Sequence, residues 1–218
     1  MTGSSEPSHE PGTEPDLRLD TARLRLLAHP VRVNVLTLLR QHGTSTAGRI
    51  AAELGINPGS ASYHLRRLAA GGLIVEEPGR GSGRERWWTS VHRQSVHDPA
   101  DESAEQSADR RAAGRAYAHA VALACVERLE RAAQELPLLP ARWYEAVFYG
   151  DFVLHLAPDE VERMRAELFE VVSRYRADSA DRAERAGETE APASRVPVSV
   201  QLQAFPVPGT VELGTEDA

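Results

Sequence analysis

The stretch SASYHLRRLAAGGLI, residues 60–74, decides how the rest of the chain is read. Ala61, Leu65 and Leu68 recur at spacings of four and three, the apolar stripe of a short amphipathic helix. Ser60, Ser62, Tyr63, Arg66 and Arg67 then fall on other faces, and Gly71 and Gly72 end the helix before a strand opens at LIVEE. A helix this basic is unexpected in a chain of 218 residues with a formal net charge of −7.

Working backwards, the turn INPG places Asn57 ahead of the helix, so that the helix spans about 57–70. Before it, TSTAGRIAAELG predicts a helix that Ser45 or Thr46 can cap, with Ile50, Ala51 and Leu54 inward and Gly55 as its end. Further back, Pro30 suits the first turn of a helix carrying Val31, Val35, Leu38 and Leu39, which ends at Gly43 as a left-handed cap. Leu24, Leu27 and Ala28 give a short helix before that. Working forwards, PGRGSGRE reads as a glycine-rich hairpin tip and RWWTS as the returning strand, with Trp87 and Trp88 alternating across it. One tryptophan is expected in the core and the other toward the linker or the long helix that follows. The order is helix, helix, turn, helix and two-stranded wing.

Charge follows the same division. Residues 1–15 carry three acids and no arginine, residues 16–95 carry 12 arginines against 6 acids, and residues 96–218 carry 13 against 23. A local excess of six positive charges is the electrostatic footprint of phosphate contact. All 25 basic residues counted as Lys and Arg are arginine, which excludes a P-loop lysine and Schiff-base chemistry. GRGSG lacks the strand-turn-helix setting of a hydrolase elbow and does not open a helix as a dinucleotide fingerprint must. The expectation is a protein that is not an enzyme and needs no cofactor.

These motifs together resemble a known family. LAHPVRVNVLTLL, IAAELGINPGSASYHLRRLAAGGLI and the wing GRGSGRERWW are similar to the winged helix-turn-helix domain of ArsR-type bacterial transcription regulators, over about residues 20–90. The resemblance implies a dimeric repressor or activator that reads an inverted-repeat operator in double-stranded DNA. The DNA-binding set expected from it and from the residues is Ser45, Thr46, Asn57, Ser60, Ser62, Tyr63, Arg66, Arg67, Arg80, Arg84 and Arg86, with the wing 78–86 on the backbone. Arg66 and Arg67 are neighbours about 100° apart on a helix, so one is expected to hold a phosphate. Tyr63 either meets a base or packs at the helix boundary. A winged-helix module that binds a protein instead of a specific DNA sequence is the alternative.

Metal-sensing relatives of that family carry paired cysteines on the helix before the reading helix, whereas TAGRIAAELG has neither cysteine nor histidine. Asp109, His119, Cys125 and Glu127 are the nearest candidates for a second metal site, but their spacing does not bring a full set to one helical face. No metal site is expected. His29, His42 and His64 stand at helix junctions or beside core positions and read as structural, while His92 and His97 lie in a polar stretch.

The remaining chain is expected as a disordered tail over 1–15, a winged helix-turn-helix domain over 16–95, a linker over 96–109, a dimerisation and effector domain over 110–208, and a tail over 209–218. Its C-terminal half resembles that of long actinobacterial members and leaves room for a small-molecule or protein effector. A long helix from Arg110 to Leu136 has two apolar faces, one through Ala122, Val126, Leu129, Ala133 and Leu136, the other through Tyr117, Ala120, Val121 and Ala124; small residues on both favour close packing within the chain or against a second copy, and the second face is the one expected to meet a twin. RWYEAVFYGDFVLHL reads as two strands about Gly150 and Asp151, APDEVERMRAELFEVVSRYRA as an amphipathic helix, and VPVSVQLQAFPV as a further strand. The fold class is therefore mainly α with small β: a winged helix-turn-helix, then a long helix and a small antiparallel sheet with a packed helix. The opening lacks a secretory leader's apolar run, Cys125 stands alone, and AYAHAVALAC is too short to span a bilayer, so a cytoplasmic homodimer with no membrane contact is expected.

Overall fold

Asp20 begins the first helix by accepting the Arg23 backbone N–H on its carboxylate at 2.8 Å, an N-cap that satisfies one of the orphan donors of the first turn. In this computed structural model, which describes residues 16–78, 85–97, 108–186 and 196–212, the helix is α1, Thr21–Leu27. It is followed by α2 (Pro30–His42), α3 (Ala47–Leu54), α4 (Pro58–Ala70), α5 (Ala108–Glu135), α6 (Ala141–Ala146) and α7 (Pro158–Ala186). Pro30 and Pro58 sit in the first turns of α2 and α4, where a missing N–H costs nothing.

Five short strands complete the described fold: β1 (Leu17–Arg18), β2 (Ser45–Thr46), β3 (Ile74–Glu76), β4 (Trp87–Ser90) and β5 (Ser95–Val96). β4 is the centre of an antiparallel sheet in the order β2-β4-β3, with Thr46 opposite Trp87 and Glu76 opposite Trp88. β1 pairs in parallel with β5, so Val96, expected as the first residue of a linker, is stitched with Ser95 to the beginning of the domain.

The core of this domain is Leu24, Leu27, Val35, Leu39, Ile50, Leu65, Leu68, Leu73 and Ile74, all fully buried or nearly so, with Trp88 on its edge. Leu36 takes the inward place on α2 that Leu38 was expected to hold, and Leu38 is only half-buried. One glycine is demanded at the end of α4: Gly72 has φ of 70°, where a side chain is strained, whereas a Cβ at Gly71 would meet only the end of the Leu26 side chain.

The chain divides between Pro140 and Ala141 into two units. The long helix α5 therefore belongs to the first unit, not to the second domain in which it was expected. Ala113, Gly114, Ala120, Ala124 and Cys125 turn inward on it, small residues that let its backbone approach α1 and α2. The apolar face expected to meet a second copy is thus spent inside the first unit, and the face with Leu123, Val126 and Leu129 is the open one. Asn34 on α2 locks this packing by donating to Glu127 at 2.6 Å and accepting from Arg128 at 2.7 Å.

The described fold is mainly helical with small sheets, as expected, but the strands lie elsewhere than the sequence pattern placed them in the second unit. Residues 141–146 are helical, and neither 147–157 nor 196–207 pairs as a strand. Alternation alone makes a segment competent for a sheet; a strand also needs a neighbouring backbone about 4.8 Å away, and within one chain none of the described residues supplies it. Among the described residues, no helix is long and apolar enough to cross a membrane.

Candidate nucleic-acid interface

The start of α4 is fixed by Asn57, whose Oδ1 accepts the Ser60 backbone N–H at 2.8 Å. Ala61, His64, Leu65 and Leu68 bury one side of the helix. The opposite side then presents Tyr63, 51 % exposed, with Arg66 and Arg67 exposed on either flank of it. A large flat phenol between two guanidinium groups, on a helix pinned from behind by leucines, suits a polar surface with phosphates at its edges.

The two arginines have different neighbours. Arg66 Nε donates back to the Ser62 carbonyl at 3.2 Å, and the residue lines an open groove with Gly48, Ser62, Glu85, Arg86 and Trp88. This is the wing side of the helix. Arg86 also lies 3.6 Å from the Glu76 carboxylate across the hairpin. Arg67 is on the α2 side, close to Arg32, whose pKa is lowered first by burial and further by the Arg67 charge, with Tyr63 acting in the opposite direction.

Two cations here were not among the expected set. Arg32, on α2, comes beside Tyr63 and Arg67 only through the packing of α2 on α4, a proximity that no local motif announces. Arg49, on α3, stacks its guanidinium 4.8 Å above the ring centre of Trp87. The sequence signal for Arg49 was available, since an arginine three residues after the cap of the first helix of the motif has to face outward when Ile50 and Ala51 face in. Trp87 accordingly meets Arg49 of α3, while Trp88 is the tryptophan in the core.

Thr46 must be withdrawn from the DNA-contacting set. It is fully buried, and its Oγ1 accepts the Arg49 backbone N–H as the cap of α3. Ser45 is half-buried in β2 opposite Trp88. Asn57 is exposed but its side-chain oxygen is occupied as a cap, and Ser60 and Ser62 are half-buried on the flanks of α4. Arg80 and Arg84 lie outside the described residues.

The residues weighed as metal ligands are scattered among structural contacts. Asp109 pairs with Arg25, Glu127 accepts from Asn34, and the buried Cys125 thiol accepts from Arg128. His119 is exposed on α5. Among the described residues, no group of three or more ligating side chains converges. Arg40 is another structural cation: buried against the His92 carbonyl and the Ser95 hydroxyl, its pKa is pulled down to about 10 by desolvation.

Residues 27–77, from the end of α1 through β3, match the family model described as a helix-turn-helix domain. That span contains α2, α3 and α4 whole, and the match supports DNA as a partner and regulation of transcription as the task. The chain matches none of the curated proteins.

Proposed function

We propose that this protein is a sequence-specific DNA-binding transcription regulator of the winged-helix kind, resembling the ArsR type, that acts as a homodimer on an inverted repeat. The observation that carries the reading is the outward face of α4: Tyr63 flanked by Arg66 and Arg67, on a helix within the helix-turn-helix match, with Arg49, Arg86 and Trp87 beside it on the wing side. In this reading α4 enters the major groove, where side chains meet base edges, and the wing follows the sugar-phosphate backbone. Ser60, Ser62 and Asn57 line the approach, and Arg80, Arg84 and Arg86 make the wing positive. One such helix reads too few base pairs for useful discrimination, so two related by a twofold axis would read half-sites about 34–36 Å apart.

The action is binding, with no turnover, in the cytoplasm. An effector, a small molecule or a protein, would alter the spacing of the two reading helices. The test is selection of genomic duplexes by the purified protein, followed by titration of the recovered sequence over a range of salt. A recovered inverted repeat bound with a steep salt dependence supports the proposal. Recovery of no common sequence, with a protein partner captured through the same face, would instead establish the winged helix as a protein-binding module.

A further inference from the structure

The second unit has an apolar surface without a core. Not one residue with a described side chain between 141 and 212 is buried. Nineteen of the large hydrophobic residues in that range are exposed, among them Phe148 at 87 %, Phe152 at 82 % and Phe205 at 71 %. At roughly 150–250 Å² for a whole aromatic side chain, this is on the order of 2,000 Å² of exposed apolar side-chain surface per chain.

The pattern of that surface is specific. Val196, Val198, Val200 and Leu202 alternate with Pro197, Ser199 and Gln201, which is the register of a strand with one face for a core. Residues 196–207 carry no charged side chain, and residues 146–156 carry only Asp151 as a formal charge, so neither segment has a charge to meet a nucleic acid or a charged protein surface. Val161, Met164, Leu168, Val171, Val172 and Tyr175 form the apolar stripe of α7, and Tyr175 is 70 % exposed. A helix stripe and strand-competent segments are the two layers of an α+β core, and both are open in the same unit.

We infer that the second unit is completed by a second copy of this chain: residues 147–156 and 196–207 become strands of one sheet that two copies build jointly, covered by the apolar stripes of their two α7 helices. A second copy is the occupant the surface fits. It brings both missing layers at once, it is present at equal concentration wherever the chain is made, and about a twofold axis the same segments satisfy each other's backbone groups. The area agrees as well, since twice the exposed apolar surface falls within the several thousand Å² of obligate dimers, where an interface resembles a core cut in half. The inference rests on the proposed function in one respect, that two copies meet: a monomer would overturn both, a dimer with freely exchanging 196–207 amides would overturn this inference alone, and a dimer that selects no common DNA sequence would overturn the proposed function alone.

The test uses the full chain. Sedimentation equilibrium should give twice the 23.8 kDa chain mass. Hydrogen exchange read by mass spectrometry should show the amides of 147–156 and 196–207 slowed at least about 100-fold relative to unstructured peptide, with the slowing lost on dilution below the dissociation constant. The double variant Val198→Arg, Val200→Arg should sediment as a monomer, with fast exchange in both segments and unchanged protection in α2 and α4. A monomeric wild type overturns the inference whether or not the segments are protected. So does a dimer whose 196–207 amides exchange freely, because the copies then meet elsewhere.

Discussion

The imidazole rings of His29 and His64 face each other with centroids 4.8 Å apart and planes tilted by 59°. His64 is only 5 % exposed, and the Nδ1 atoms of both rings have no hydrogen-bond partner among the described residues. Burial holds the His64 pKa below the usual value of 6.5, and the neighbouring His29 and Arg32 lower it further. His29 is lowered likewise, by burial and then by Arg32. Below the unfolded value the unfolded chain therefore binds more protons than the folded one, and stability falls as pH falls from about 6.5 through the folded values. Urea unfolding between about pH 7.5 and pH 5 should show this loss, and His64→Gln should flatten it. An equally steep loss in the variant would place the acid sensitivity elsewhere.

Arg66 and Arg67 should separate by how they fail. On the wing side, beside Tyr63 and Ser62, Arg66 is expected to meet bases; Arg66→Ala should cost about 1–3 kcal/mol on the preferred site and relax preference at one position. Arg67, beside Arg32, is expected at a phosphate, and Arg67→Ala should weaken all sequences alike and lower the slope of log affinity against log salt by about 0.9. Titrating both variants on matched and mutated operators tells the roles apart, and the opposite pattern would exchange them.

Arg49 extends the interface onto α3. Arg49→Ala and Arg86→Ala should each reduce the salt slope by roughly 0.9 while leaving the preferred sequence intact. Loss of Arg49 also removes the cation above Trp87, so the indole fluorescence of the variant should change even without DNA. An Arg49 variant with unchanged slope would confine that arginine to the wing's internal packing.

The two glycines at the end of α4 should differ in tolerance. Gly72→Ala, at φ of 70°, should cost about 1–2 kcal/mol because of its left-handed backbone. Gly71→Ala meets only the end of the half-buried Leu26 side chain, which can rotate away, and should cost less than about 1 kcal/mol. Chemical unfolding of the two variants checks this, and equal losses would show that Leu26 is held in place.

The two faces of α5 should respond in opposite ways to the same charge. Ala124 is fully buried, so Ala124→Glu places an unpaired carboxylate in the first unit and should destabilise it by about 3–5 kcal/mol. Val126 is 50 % exposed, and Val126→Glu should leave thermal unfolding of that unit within about 0.5 kcal/mol of wild type. Comparable losses in both would show that the open face is covered in solution.

The winged helix was legible because its signals are local. Pro30 and Pro58, the cap at Thr46, the cap at Asn57 and the glycines after α4 each act within one turn, and the leucine spacing between them fixes which sides turn inward. What escaped was set by contacts distant in sequence. Arg32 joins Tyr63 through the crossing of two helices, and the strand pair 17–18 with 95–96 closes a loop that no periodicity marks. For α5, two apolar faces were visible, but which of them meets α1 and α2 depends on small residues permitting close approach, and the alanine face won over the larger Val126 and Leu129. In the second unit the alternation predicted strands that the structure does not have, because a strand is a relation between two backbones and alternation describes only one of them.

Thr46 and Ser45 form the shortest strand on the sheet that carries the wing, and the same Thr46 is the first residue of the α3 cap. The helix-turn-helix and the root of the wing are thereby fastened at this dipeptide as well as through the direct run of α4 into β3, so the angle between α4 and the described base of the hairpin is set by folding and does not wait for a duplex. Those described elements lose little conformational entropy on docking, because their ordering was completed when the domain folded. The association rate should then be governed by electrostatic encounter and orientation, with no slow rearrangement step limiting it.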